Sequence, residues 1–210
     1  MLKIGITGGI GSGKSIVGRL FGVLGVPLYD SDSRAKWVMA HDPQLRQELT
    51  DAFGPATFDA EGRLDRAYLA RVAFSDPQQL ARLNALVHPH VGRDFAQWAA
   101  ARQAEGHAYV LKEAALLYES GAYRQLDRII TVFAPQALRQ ARVLLRDPHR
   151  TAQDVLTIIG KQLSEEEKLT RADYVVRNDD EQLLIPQVVR LDAELKKLAG
   201  CKTAPTEPHA

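Results

Sequence analysis

Short apolar runs separated by helix-like stretches set the rhythm of this chain. Leu2 to Thr7 (LKIGIT) and Arg128 to Phe133 (RIITVF) read as buried strands. So do Val26 to Tyr29, Ala108 to Leu111 and Tyr174 to Val176. Ser15 to Leu24 carries the apolar spacing of a helix. Short continuous apolar strands alternating with helices predict an α/β fold, a five-stranded parallel sheet covered on both faces. One gap breaks the rhythm. From Ser33 to Gly106 the pattern is helical throughout, punctuated at Asp42-Pro43, Gly54-Pro55, Gly62, Asp76-Pro77 and His88-Pro89. Arg66 to Phe74, Pro77 to Val87 and His90 to Glu105 are expected as separate amphipathic helices. Residues 33–106 are read as a helical insertion over one edge of the sheet, where α/β folds place a second substrate.

Composition narrows the function classes. The chain has 210 residues, 45% hydrophobic and 25% charged, which suits one domain carrying an insertion. Lys and Arg total 27 against 26 Asp and Glu, a formal charge of +1, so a nucleic-acid partner is not expected and any anion site must be local. The single cysteine, Cys201, excludes a disulfide framework within the chain and suits a reducing compartment. The start, Met-Leu-Lys-Ile-Gly, enters apolar alternation without a charged leader. No run approaches the roughly 18 apolar residues that span a bilayer. A cytoplasmic monomer or small homo-oligomer with no membrane partner is expected.

Chemistry enters at the stretch GITGGIGSGKS, Gly5 to Ser15. Gly8, four residues and then Gly13-Lys14-Ser15 satisfy the phosphate-loop pattern, set between a buried strand and a helix as that pattern requires. Its glycines let backbone N–H groups converge on phosphate oxygens, and the helix that follows adds its positive end. The expected phosphate-binding set is Gly8, Gly9, Gly11, Ser12, Gly13, Lys14, Ser15 and Ile16. Lys14 is placed against the β and γ phosphates of a nucleoside triphosphate, and the Ser15 hydroxyl is the expected Mg²⁺ ligand. Residues 1–32 and 107–199 are therefore read as a phosphate-loop nucleotide-binding core, and 200–210 as a disordered tail.

Three classes fit such a loop: a kinase for a small acceptor, a nucleotide switch, and a motor or regulatory module. No [NT]KxD element for guanine is present, and a motor would normally be larger, so the kinase is favoured. A kinase needs a carboxylate to orient its acceptor hydroxyl. Asp32, just past the second strand, would face the γ-phosphate end of the loop in a parallel sheet, with Asp30 as its competitor. Both Asp32 and its neighbours equally suit a helix N-cap. A kinase also needs cations on the transferring group and a lid. Arg139, Arg142 and Arg146 share one helical face after Pro135, and a lid is expected over about 142–165. Arg142, as a catalytic cation, and Arg146 are the expected phosphate contacts there, with a solvated basic stripe as the alternative. Arg150 falls in the loop beyond.

The whole constellation resembles the dephospho-coenzyme A kinase family. The resemblance runs from about Leu2 to Leu198. It rests on TGGIGSGKS, on DSD at Asp30 to Asp32, on GRLDR at Gly62 to Arg66 and on LNALVHPHV at Leu83 to Val91. It continues through ALLYESG at Ala115 to Gly121, Arg142 and Arg146 ahead of Asp147, and KQLSEEEKLTRADYVVRND at Lys161 to Asp179. It implies an ATP- and Mg²⁺-dependent phosphorylation of the ribose 3′-hydroxyl of dephospho-coenzyme A, giving coenzyme A and ADP, the last step of coenzyme A synthesis. It implies Asp32 as base or hydroxyl positioner, Arg142 and Arg146 as lid arginines, and an insertion that helps to bind the acceptor. The alternatives are a kinase for a nucleoside monophosphate or small metabolite, and a non-catalytic switch. Some positions depart from the family pattern. Ile16 stands where Thr is common, Glu113 where many relatives have Asp, and Arg139 where Gln is frequent. Arg66 suits either acceptor phosphate or a pairing with Asp65. His88 suits either a helix end or an acceptor contact. His90 is read as surface, and Trp37 and Trp98 as packing residues.

Overall fold

The computed structural model describes residues 1–203. β1 (Leu2–Thr7), β2 (Leu28–Asp30), β3 (Tyr109–Glu113), β4 (Arg128–Phe133) and β5 (Tyr174–Arg177) form one sheet in the order β2-β3-β1-β4-β5. β1 pairs in parallel with β3, Leu2 opposite Tyr109, and with β4, Ile4 opposite Arg128; β4 pairs in parallel with β5. β1 is buried along nearly its whole length, as a central parallel strand must be. α1 (Lys14–Val23) and α9 (Leu184–Thr203) close a core with the sheet. Leu2, Ile4, Ile6, Val17, Phe21, Leu111, Ile130, Val132, Leu191 and Leu195 meet there. Each such aliphatic side chain contributes about 1.5–3 kcal/mol by leaving water. α9 carries the first residues of the expected tail, Gly200 to Thr203, as helix. The rest of that tail, residues 204–210, lies outside the described residues.

The chain divides into two compact units, Met1–Tyr29 with Ala99 onward, and Asp30–Trp98. The first unit also carries α6 (Gln136–Arg146), α7 (Ala152–Gly160) and α8 (Glu165–Arg171). The second unit is built on α2 (Ser31–His41), α3 (Pro43–Phe53) and α4 (Arg66–Phe74), and α5 (Pro77–Ala104) continues out of it. α5 corrects the expectation of two helices, because it runs unbroken through Pro89. Proline removes one hydrogen bond of the helix. Val87, Val91 and Phe95, four apart and all buried, form a continuous apolar stripe on either side of it and outweigh that loss.

A second correction concerns His90, expected at the surface. It is 3% exposed. Its Nδ1 lies 3.1 Å from Asp42 Oδ2 and its Nε2 3.1 Å from Glu48 Oε2, while Arg93 Nη2 reaches Nδ1 at 2.9 Å. Asp42 also caps α3, accepting from Leu45 N–H. Its pKa is below the ordinary value: desolvation pulls it up, but that N–H bond and the contact with His90 outweigh it. Trp37 is stacked on His41 with Arg34 over its ring, yet stays 46% exposed.

Candidate active site

The loop between β1 and α1 begins where Thr7 leaves the sheet. Gly13 caps α1 in the left-handed region, φ 90°, and no side chain caps that end. A residue with a Cβ is strained there, and the uncapped first turn leaves helix N–H donors for an anion. Gly11 is also left-handed, φ 80°, and a Cβ on it would collide with the Arg139 carbonyl oxygen. The Thr7 and Ser12 hydroxyls are buried and have no hydrogen-bond partner among the described residues. Lys14 opens α1, and Ser15 follows with its hydroxyl donating to Glu113 Oε1 at 2.6 Å. Glu113 ends β3 and is 8% exposed. The N–H of Ile16 is engaged with Gly13 O at 2.9 Å, and its side chain is exposed.

Two oxygen donors, the Ser15 hydroxyl and the Glu113 carboxylate, thus stand together at the end of the loop. That donor set fits Mg²⁺, which takes one or two protein oxygens and completes its shell with water and phosphate. Lys112, the residue before, is buried with its ammonium 5.9 Å from the Tyr29 ring centre, and burial lowers its pKa to about 8.

The three arginines of α6 separate. Arg139 is 2% exposed, donates from Nε to Ala134 O at 3.1 Å and packs its guanidinium against Gly9. Its Nη1 lies 3.7 Å from Glu165 Oε1, which also takes Lys168 Nζ at 3.2 Å. Arg142 donates to Asn178 O at 2.9 Å and to Asp180 Oδ1 at 2.6 Å. Arg146 forms a fork with Asp147 at 2.8 and 2.9 Å, and that hydrogen bonding holds the Asp147 pKa down to about 2. One helical face therefore contains a buried cation, a half-buried one and an exposed one. Arg150 lies in the following loop and also reaches Asp147.

Asp30 and Asp32 differ in their local duties. Asp30 Oδ1 accepts from the N–H groups of Asp32 and Ser33, at 3.0 and 3.2 Å, and Oδ2 accepts from Ser33 Oγ at 2.6 Å. Asp30 is therefore the N-cap of α2, and Asp32 lies in the first turn with its carboxylate exposed and not used in capping. Arg66 opens α4 behind the Asp65 cap and is exposed. His88 is exposed on α5, immediately before Pro89.

Two side-chain amides bind the loop from outside, and neither has a role in the sequence reading. Asn178 Nδ2 donates to Ser12 O at 2.8 Å, and Gln162 Oε1 accepts from Ile10 N–H at 2.9 Å. Their signal in the sequence is position. Asn178 directly follows β5, and Gln162 lies between α7 and α8.

A family model described as dephospho-CoA kinase matches residues 2–183. A dephospho-CoA kinase of Bacteroides fragilis is 41% identical over 194 residues, 92% of this chain and 93% of that protein. One from Deinococcus radiodurans is 41% identical over 196 residues, 93% and 92% of the two chains. Among solved structures, a Thermus thermophilus protein superposes with a TM-score of 0.77 at 36% identity, covering 94% of this chain and 97% of its own. The dephospho-CoA kinase of Campylobacter jejuni shares the fold, with a TM-score of 0.70 over 93% of this chain and 97% of its own, at 23% identity. With the phosphate loop and the strand order around it inside the matched span, the chain belongs to the dephospho-CoA kinase family.

Proposed function

We propose that this protein transfers the γ-phosphoryl group of ATP to the ribose 3′-hydroxyl of dephospho-coenzyme A, giving coenzyme A and ADP, as a cytoplasmic, Mg²⁺-dependent enzyme. Family membership supports this acceptor over a nucleoside monophosphate, and a kinase over a switch. Among the described residues no helix is long and apolar enough to cross a membrane.

The loop amides and Lys14 bind the β and γ phosphates, with Gly8, Gly9, Gly11 and Gly13 giving the backbone its close approach. Ser15 and Glu113 would hold Mg²⁺, whose charge offsets that of the phosphates. Arg142 and Arg146 exchange their present carboxylate partners for phosphate oxygens when the nucleotide is bound. Asp180, with 65% of its side-chain surface exposed, gives up Arg142 at little cost, whereas Asp147 is 19% exposed and holds the exposed Arg146 more firmly. Arg66 and His88 contact the acceptor from the helical unit. Asp32 accepts a hydrogen bond from the acceptor hydroxyl, aligns its oxygen on the γ-phosphorus and takes the proton as the new P–O bond forms and the bond to the ADP oxygen breaks.

The observation that supports Asp32 in this role is that Asp30 already caps α2, which leaves the Asp32 carboxylate without a structural duty. Incubation with ATP, Mg²⁺ and dephospho-coenzyme A, followed by chromatography of all nucleotides, tests the reading. Equal amounts of ADP and coenzyme A are expected, with Asp32→Asn slowed by about 10²–10⁴-fold. ADP without coenzyme A, or an Asp32→Asn variant as fast as the wild type, counts against it.

A further inference from the structure

The segment from Lys161 to Ser164 joins α7 to α8 and has no part in the phosphate chemistry described above. It is nevertheless tied to the loop. Gln162 Oε1 accepts from Ile10 N–H at 2.9 Å, and its Nε2 donates to Ala115 O at 3.3 Å, just past β3. The next residue, Leu163, donates its N–H to Glu119 Oε1 at 2.6 Å. Ser164 then caps α8 by accepting from Glu167 N–H. The segment is thus held at each step, and Gln162 links the phosphate loop to the chain that leaves β3. A primary amide suits this bridge because it accepts from a backbone N–H and donates to a carbonyl at the same time. A carboxylate would lose the donor and bring negative charge to a phosphate site. At the other end of the same stretch, Asn178 Nδ2 donates to Ser12 O.

We infer that Gln162 is a positioning residue for phosphoryl transfer, holding the Ile10 amide and with it the rim of the phosphate loop. The inference rests on the loop being the ATP site. Gln162 acts through the loop backbone and not on the reacting atoms. Backbone donors help catalysis only when they are oriented before the charge develops, and a loop with a free rim must be ordered by the ligand itself. Two runs that carry the family resemblance without a phosphate role, ALLYESG and KQLSEEEK, thereby gain a shared purpose. The first supplies Ala115 and Glu119, the second Gln162 and Leu163, and together they brace the loop.

Gln162→Met and Gln162→Ala test this, with ATP and dephospho-coenzyme A varied separately. ATP is also titrated alone, and the melting temperature is taken with and without it. Methionine keeps the length and volume but neither hydrogen bond. Both variants are expected to weaken ATP about tenfold, the scale of one or two lost hydrogen bonds. The KM for dephospho-coenzyme A should stay within about twofold, and the ligand-free melting temperature near that of the wild type, with a smaller upward shift on adding ATP. Gln162→Met with wild-type ATP affinity overturns the inference, since packing then suffices. So does a lowered melting temperature with unchanged ATP affinity, which marks a purely structural role. If the wild type neither binds ATP nor phosphorylates the acceptor, the functional reading falls and takes this inference with it; the first two outcomes overturn the inference alone.

Discussion

An ionic cluster is buried in each unit of the molecule, and the two clusters carry different charge. In the unit that carries the phosphate loop, Arg139 and Lys168 share one carboxylate, Glu165, whose second oxygen has no partner among the described residues. That cluster carries one positive charge more than it neutralises, and it packs against Gly9. In the helical unit, His90 sits between Asp42 and Glu48, with Arg93 on its Nδ1. There two carboxylates stand against one fixed cation, Arg93. A buried cluster with excess positive charge beside an anion site raises the potential at that site. One with excess carboxylate joins α3 to α5 and offers no positive field to an anion. The difference predicts that the first cluster is felt in ATP binding and the second only in stability.

The sharpest way to break that contrast is Lys168→Met. Lys168 is buried, and its loss leaves Glu165 beside Arg139 alone, at 3.7 Å. A stability loss of about 3 kcal/mol is expected in urea unfolding, together with weaker ATP binding. A destabilised variant with unchanged ATP affinity would erase the functional half of the comparison. His90→Leu comes next. It removes the bridge between Asp42 and Glu48 and should cost about 1–3 kcal/mol, softened because both carboxylates keep some contact with water. Its KM for ATP should equal that of the wild type, and a raised KM would move the helical cluster into the chemistry.

Tyr109→Phe sharpens the baseline, as a buried polar contact that shares no residue with either cluster. The Tyr109 hydroxyl donates to Asp192 Oδ1 at 2.7 Å, and burial with that carboxylate holds its pKa far above the ordinary value, so it stays a neutral donor. About 1 kcal/mol should be lost, because Lys196 still holds Asp192. The smallest effect belongs to Asp147. Its pKa is depressed from 3.8 to about 2, so its contribution is present above the unfolded value and lost as pH falls through about 2. The stability difference between wild type and Asp147→Asn should therefore shrink on acidification from about pH 4 to about pH 2. A difference that stays constant over that range would mean the ion pair adds nothing.

Much of the fold was legible. β1 and β4 have the bounds read from their apolar runs, since each is paired on both sides and mostly buried. β2 starts two residues later than read, at Leu28, and β5 extends to Arg177. The reading failed at Pro89, where local chemistry says stop and the packing of Val87, Val91 and Phe95 says continue. It failed at His90 for a related reason. A lone histidine gives no hint that Asp42 and Glu48, more than forty residues earlier, converge on it.

At the site, pattern located the loop but not its supports. The spacing of Gly8, Gly13, Lys14 and Ser15 is a local rule, because adjacent residues build the phosphate cradle whatever surrounds them. The cap of α2 was open in the sequence, since Ser31, Asp32 and Ser33 all suit that role. The observed backbone gave the cap to Asp30. The three arginines of α6 looked alike by periodicity, yet one is buried against Gly9, one holds Asn178 and one faces water. By itself, then, the sequence determined the sheet, the loop and the helix that follows it, because those depend on neighbours along the chain. Only the tertiary structure decided which charges are buried, that Asp30 caps α2 and that Gln162 and Asn178 hydrogen-bond to the loop. Those outcomes depend on groups distant in sequence, whose energies are set by desolvation and distance.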